Sequence, residues 1–402
     1  MVWFPDQNKS AINDSHSADK NGFNHGMLTW KVSTSLVCCS GIFAAKRFMS
    51  GRLYNLDYLR GIAAFGIMMF HYMSKTFGEY NSESFVGRVG LYGVSIFYVL
   101  SGLTLFYVYH DKMKPGWSDL SDFFKKRIFR ILPLLWLATI ASVFCFNGGI
   151  FEMKKLLLNL SGLFGFVAWD QGIAVGVWSI GNELVFYVFF PLFVLLSKKM
   201  KPAFFVFCLA VLAVYCYFAF YMVIDELPFK AKGQQRNYVN PLNQLFLFLS
   251  GYLIGLLLRN VRITSVVNTF ILLIGILLFA FYPVSGDRIH LVTDFARLVM
   301  TLSCILICIG FYKLNFHLPG IIDRGLKLLG EASYSVYLLH MIVFQVMGWL
   351  MDYVRSHFFH VPEFVRFFSS IIATLVFSYF VYNYFEKYFI RLGKKSFRKQ
   401  VD

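Results

Sequence analysis

The sequence predicts an all-α polytopic membrane protein of about ten transmembrane helices, with both termini in the cytoplasm. Three observations carry this expectation. Apolar residues make up 57% of the 402-residue chain and charged residues only 15%, where a soluble domain would carry about a quarter charged residues. Apolar stretches of the roughly 20 residues needed to cross a bilayer recur along most of the chain. Lys and Arg gather in alternate connections, the bias that marks cytoplasmic loops. The net charge of +16 is therefore read as a topology signal, not as a nucleic-acid surface. Seven Cys residues show neither metal nor redox spacing; Cys38 and Cys39 are adjacent, and Cys304 and Cys308 lie one helical turn apart in an apolar run.

Residues 1–50 differ from the rest. "DQNKSAINDSHSADKNGFNHG" is polar and expected to be disordered, and "VSTSLVCCSGIFAA" only faintly resembles a signal-peptide core. Met49 stands directly before the first strong helix and is an alternative natural start. The expected division is an N-terminal extension over 1–50, a membrane domain over 51–390 and a basic cytoplasmic tail over 391–402.

The spans follow in order at 56–75, 90–110, 128–147, 178–197, 203–224, 241–258, 264–283, 294–312, 332–353 and 364–386. The segment 150–168, "IFEMKKLLLNLSGLFGFVA", is shorter and broken by charge, so it is read as interfacial or re-entrant. Basic residues cluster before the first span (Lys46, Arg47, Arg52) and after the second (Lys112, Lys114, Lys125, Lys126). They recur after the fourth (Lys198, Lys199, Lys201), the sixth (Arg259, Arg262) and the eighth (Lys313, Arg324, Lys327).

The first span carries Asp57, Arg60 and His71. Arg60 and His71 are eleven residues apart, so they share a helix face about 16 Å apart. Arg60 reads either as a snorkelling anchor paired with Asp57 or as a functional cation; His71 reads either as an interhelical hydrogen-bonding residue or as a general base. In the fourth span Ser179, Glu183 and Tyr187 fall at i, i+4 and i+8. Glu183 is placed about 7 Å below the outer boundary, near the depth expected of His71, where a carboxylate would orient the imidazole. Trp178 and Asn182 lie beside them, as packing residues or as acceptor contacts. Arg127 and Arg130, one turn apart at the inner mouth of the third span, are either a topology cluster or a phosphate grip. In the ninth span His340 is expected nearer the inner half, as a structural hydrogen-bonding residue or a donor-side contact. Glu386 is expected at the inner interface.

Five stretches in order carry a family resemblance: "LDYLRGIAAFGIMMFHY", "FYVLSG", "RIFRILP", "WSIGNELVFY" and "LGEASYSVYLLH". Over roughly residues 54–390 the chain resembles the acyltransferase-3 family of integral membrane acyltransferases. It departs from the family pattern near the last span, where Glu386-Lys387-Tyr388 lacks the usual proline. The resemblance implies transfer of an acyl group, most often acetyl, from a cytoplasmic coenzyme A thioester to a hydroxyl of an extracytoplasmic or lipid-linked glycan. It makes His71 the essential base, Glu183 its partner, and Arg60, Arg127 and Arg130 the donor-side residues.

Together these readings predict a multi-pass acyltransferase of the bacterial inner membrane, acting on lipopolysaccharide O-antigen or exopolysaccharide. Acetyl-CoA serves as co-substrate, with no permanently bound cofactor, no metal and no nucleic acid. His340 joins the donor side, and Trp178, Ser179, Asn182 and Tyr187 the acceptor side. The alternative is a transporter or flippase for a lipid-linked sugar.

Overall fold

The computed structural model describes residues 54–395, apart from 115, 225, 232, 315–317 and 359. The expected polar extension, the Met49 start and residues 396–402 of the basic tail lie outside the described residues. Within them the chain is helical and contains no strand. In chain order the helices are α1 (Tyr54–Phe77), α2 (Phe85–Tyr109), α3 (Trp117–Asn147), α4 (Met153–Ser161), α5 (Phe164–Val167) and α6 (Trp178–Lys199). There follow α7 (Lys201–Tyr217), α8 (Gln234–Tyr238), α9 (Pro241–Leu258), α10 (Ser265–Phe281), α11 (Asp294–Lys313) and α12 (Gly320–Glu331). The last three are α13 (Ser333–His357), α14 (Glu363–Phe380) and α15 (Lys387–Lys394).

Among the described residues, eight helical stretches are long and apolar enough to cross a membrane. The first helix stands outside that set and carries Asp57, Arg60 and Lys75 along its 24 residues; α10 is apolar but has only 17 residues. The stretch 150–168 forms the two short helices α4 and α5, in line with its expected break. Two spans continue through π-helical turns, Phe218–Met222 after α7 and Val381–Glu386 between α14 and α15.

Local sequence accounts for the helix ends. Ser84 begins α2 and accepts a hydrogen bond from Gly87 N at 3.5 Å. Asn240 caps α9, accepting from Leu242 N at 2.9 Å, with Pro241 at the first helical position, where a missing N–H costs nothing. Gly148 stops α3 at φ 59°, a conformation that favours glycine.

The centre of the bundle is the crossing of α2 with α9. A methyl group on Gly102 would sit 2.0 Å from Phe248 O, and one on Gly251 would sit 1.9 Å from Val99 O. The two backbones therefore touch, as small residues allow where lipid offers no hydrophobic drive for association. A second close crossing sets α12 on α1, where Gly330 lies against Asp57 O and Gly61 against Gly330 N. Exposed Phe, Leu, Ile and Val side chains cover α7, α10 and α14, including Phe205, Phe270, Phe281, Phe368 and Ile372. Apolar exposure of that extent belongs to a lipid-facing surface.

The two ends of the bundle differ. At the end holding the start of α1, Arg259 pairs with Asp111 at 2.8 Å, and Lys198 donates to Met113 O at 3.3 Å. Lys313 donates to Val261 O at 2.8 Å and Lys125 to Lys395 O at 2.6 Å. At the opposite end buried Arg88 ties α2 to the end of α10, donating to Ser82 O (2.9 Å), Phe279 O (3.0 Å) and Tyr282 O (2.6 Å).

Candidate active site

The sequence-predicted site residues fall into two polar groups inside the bundle, joined by a short bridge. The first surrounds Arg60. Its guanidinium donates to Asp57 Oδ1 at 3.1 Å, to Leu100 O at 3.2 Å and to the Thr104 hydroxyl, so it is held between α1 and α2. Arg127 is buried on α3, with its guanidinium carbon 5.5 Å from the Tyr109 ring centre and 5.8 Å from that of Tyr187. It donates to Tyr109 OH at 3.3 Å, while its Nε has no partner among the described residues. Arg130, half-buried one turn further on, exerts its charge on Arg60, Tyr187 and Glu386. Glu183 completes the group. Its Oε1 accepts from Ser101 Oγ at 2.6 Å and from Tyr187 OH at 2.5 Å, and its charge reaches Arg60 and Arg127. The three arginines expected on the donor side thus share one region.

The bridge is built by the first turn of α6. Ser179 Oγ hydrogen-bonds with Tyr337 OH at 2.8 Å and with Gly176 O at 2.9 Å, and Tyr337 OH also donates to Gly176 O at 2.9 Å. Asn182 donates to Tyr98 OH at 3.2 Å and to Val239 O at 3.0 Å, leaving its buried Oδ1 without a partner among the described residues. Trp178 meets Tyr238 edge to face, with ring centres 5.9 Å apart.

The second group surrounds His71. Its ring centre lies 5.2 Å from that of His340, with the planes inclined by 30°. His340 is buried, and its Nδ1 donates to Tyr337 O at 2.7 Å and to Val336 O at 3.2 Å. Tyr72 OH donates to His340 O at 2.7 Å and hydrogen-bonds with Thr374 Oγ1 at 2.6 Å. Among the described residues nothing hydrogen-bonds to the half-buried His71 imidazole. Arg288, from the connection between α10 and α11, lies with its guanidinium carbon 5.5 Å from the Phe70 ring centre and directs its charge at His71, as does Lys75.

Two sequence expectations change here. Glu183 does not approach His71. On α2, Gly90 packs against Phe70, beside His71, whereas Ser101 holds Glu183. Eleven residues of helix separate these levels, about 16 Å. The cause is the start of α6. It begins beside Tyr98 in the middle of α2, where Tyr98 OH donates to Ser179 O at 3.4 Å and Gly181 packs on Gly165 and Phe164 of the short helix α5. His340, expected nearer the inner half, sits beside His71, away from Arg60, Arg127 and Arg130.

Sequence reading did not single out Tyr337, Thr104 or Arg288. Tyr337 was accessible in principle, because it stands one turn before His340 on the same helix. Arg288 lies in an irregular connection, where no periodicity reports which way a side chain faces.

The arrangement leaves a free imidazole near one end of a helix face and a cationic cluster near the other, with hydroxyl and carboxylate groups between them. Ionisable groups held inside a membrane bundle in this way are candidates for function. Comparison with known proteins agrees with an acyl-transferring bundle. Similar proteins include "Putative O-acetyltransferase SAS0844" of Staphylococcus aureus (strain MSSA476), 24% identical over 87% of this chain and 58% of its own length. "Acyltransferase MdmB" of Streptomyces mycarofaciens is 25% identical over 76% of this chain and 83% of its own. "Putative peptidoglycan O-acetyltransferase YrhL" of Bacillus subtilis (strain 168) is 23% identical over 86% of this chain and 56% of its own. The chain thus spans little more than half the length of the Staphylococcus and Bacillus relatives. No solved structure gives a significant match. Residues 53–383 match the family model described as an acyltransferase domain; that range holds both polar groups and the bridge between them, and the chain belongs to the acyltransferase-3 family.

Proposed function

We propose that this protein is an O-acyltransferase of a bacterial inner membrane. It moves an acyl group, acetyl in the first instance, from a cytoplasmic acyl-CoA to a hydroxyl of a cell-surface or lipid-linked glycan such as O-antigen or exopolysaccharide. The observation that carries the reading is the unengaged His71 imidazole, on one helix face with Arg60 and about 16 Å from it. A base and an anion-binding cluster at that separation suit a donor whose phosphates and reactive thioester lie at opposite ends of a long flexible arm.

Orientation follows from charge. The basic groups Lys125, Lys198, Arg259 and Lys313 gather at the Arg60 end, which supports a cytoplasmic assignment of that end by the positive-inside bias. The donor then enters beside Arg127 and Arg130. Arg127 Nε, buried and without a partner among the described residues, is a donor group ready for a phosphate oxygen. The acceptor hydroxyl approaches from the opposite end. His71 removes its proton as the hydroxyl oxygen bonds to the thioester carbonyl carbon; the carbon–sulfur bond breaks, and the leaving thiolate takes the proton from His71.

The names of the relatives support acyl transfer and give the transporter alternative no support. The test is NMR of the cell-surface glycan with and without the gene, and with His71→Ala in its place. Loss of an O-acyl signal in both cases is expected. A signal retained with His71→Ala present overturns the role of His71, and one retained without the gene overturns the function.

A further inference from the structure

The buried His340 imidazole has one nitrogen accounted for and one not. Nδ1 lies 2.7 Å from Tyr337 O and 3.2 Å from Val336 O. A carbonyl oxygen only accepts, so Nδ1 carries the proton and Nε2 presents a lone pair. That Nε2 is buried and lacks any hydrogen-bond partner among the described residues. The backbone beneath it is fixed, because Tyr72 OH donates to His340 O and is itself held by Thr374. A buried lone pair on a fixed ring calls for a donor, and the adjacent polar group is the His71 imidazole.

The separation suits such a bond. Two imidazoles joined by an N–H···N hydrogen bond of about 2.9 Å have ring centres roughly 5 Å apart, since each nitrogen lies about 1.1 Å from its own centre. The observed 5.2 Å, with the two rings stacked at 30°, keeps His71 within reach of that bond without forming it. His71 has no competing hydrogen bond among the described residues, so the bond asks only for a reorientation of its own ring.

We infer that His340 is the positioning residue of His71, its Nε2 accepting an N–H of the His71 ring so that the other His71 nitrogen faces the substrate as a free base. The inference rests on the proposed role of His71 in acyl transfer. During the reaction His71 takes the hydroxyl proton on its free nitrogen, keeps its other N–H on His340, and returns the proton to the departing thiolate. His340 keeps its proton on Nδ1 throughout, against the two carbonyls. A neutral imidazole thus occupies the place that a carboxylate takes in a Ser-His-Asp triad. The charged groups facing the pair are Lys75 on α1 and Arg288 from the connection after α10; Glu183 is held by Ser101 and Tyr187 instead.

The experiment uses the full chain labelled with 15N-histidine in lipid nanodiscs, as wild type, His340→Gln, His340→Phe and His71→Gln. The His71→Gln spectrum identifies the His71 signals. Wild type is expected to show His71 as a single tautomer with one slowly exchanging N–H. His340→Phe should mix the two tautomers, and His340→Gln, whose amide oxygen accepts, should restore much of the bias. In inverted membrane vesicles supplied with labelled acetyl-CoA, His340→Phe should lower kcat about 100-fold with little change in KM, and His340→Gln should recover part of it. An unchanged His71 tautomer ratio in His340→Phe overturns the inference. Should His340→Phe fail to fold, equal tautomer populations in wild type overturn it alone. Activity retained in His71→Gln sinks the proposed role of His71 separately, since the tautomer measurement does not depend on turnover.

Discussion

Ser101 Oγ donates to Glu183 Oε1 at 2.6 Å, fastening α2 to α6 near the level of Arg60. Tyr187 OH donates to the same oxygen at 2.5 Å. Glu183→Ala leaves two donors without an acceptor and should destabilise the protein by about 1–3 kcal/mol. Glu183→Gln keeps an acceptor oxygen and should preserve the fold. Because this carboxylate sits about 16 Å from the His71 level, Glu183→Gln should leave the midpoint of the pH–rate profile in place. Thermal unfolding in detergent and rates across pH check both statements, and a displaced midpoint would place Glu183 within reach of His71 during turnover.

The α2–α9 crossing leaves no room for a side chain. A methyl group at Gly251 meets Val99 O at 1.9 Å and one at Gly102 meets Phe248 O at 2.0 Å. Either Gly→Ala substitution forces the backbones apart and should cost about 1–3 kcal/mol, with a larger loss for Val. Gly116 and Gly320, where an added methyl meets nothing, serve as controls, and their alanine variants should unfold at wild-type temperature.

Arg88 satisfies three backbone carbonyls at the end of the bundle away from Arg60. Each hydrogen bond from a charged donor is worth about 1.5–3 kcal/mol. Arg88→Ala should therefore lower the unfolding temperature markedly, while Arg88→Lys, a compact charge without the planar fork, should recover part of the loss. Hydrogen exchange at 279–286 should rise in Arg88→Ala before exchange rises in α2.

Outside the spans, the Lys327 ammonium and the Tyr58 hydroxyl hold the Asp323 carboxyl below the usual carboxylate range. Lys327 donates to Asp323 Oδ2 at 2.7 Å, and Tyr58 OH donates to Oδ1, fixing α12 on α1. A folded-state value below the unfolded one means that the contact stabilises above pH about 4 and that this stability is lost as pH falls through the depressed value. Asp323→Asn should therefore unfold at lower temperature than wild type at pH 7. The two should converge as pH falls through the depressed folded value; a gap independent of pH would contradict the ionic origin of the contact.

Much of the helical plan was legible because its physical cause is local. Length and apolarity define a span wherever a helix meets lipid on one side, and the shared face of Arg60 and His71 follows from helix geometry alone. The nearness of Arg127 to Arg130 has the same origin. Depth was not legible. A residue count from Trp178 does not give the depth of Glu183, because the fold of 150–177 decides where α6 starts. The His71–His340 pair depends on which helix lies beside α1, a tertiary choice without a sequence period. Arg288 reaches Phe70 from an irregular connection, where the backbone follows no repeat.

The start of α6 inside the bundle has a consequence for hydration. Residues 168–177 run largely without regular helix down to the level of Tyr337, and side chains serve several of their backbone groups. Asn159 accepts from Ile173 N at 2.9 Å and donates to Gln171 O at 3.1 Å, while Tyr337 and Ser179 both donate to Gly176 O. Irregular backbone at membrane depth persists only where protein encloses it or water wets it. The side chains of Asn159, Ser179 and Tyr337 supply that enclosure here, and any backbone group of the segment that they leave unserved needs water as its partner.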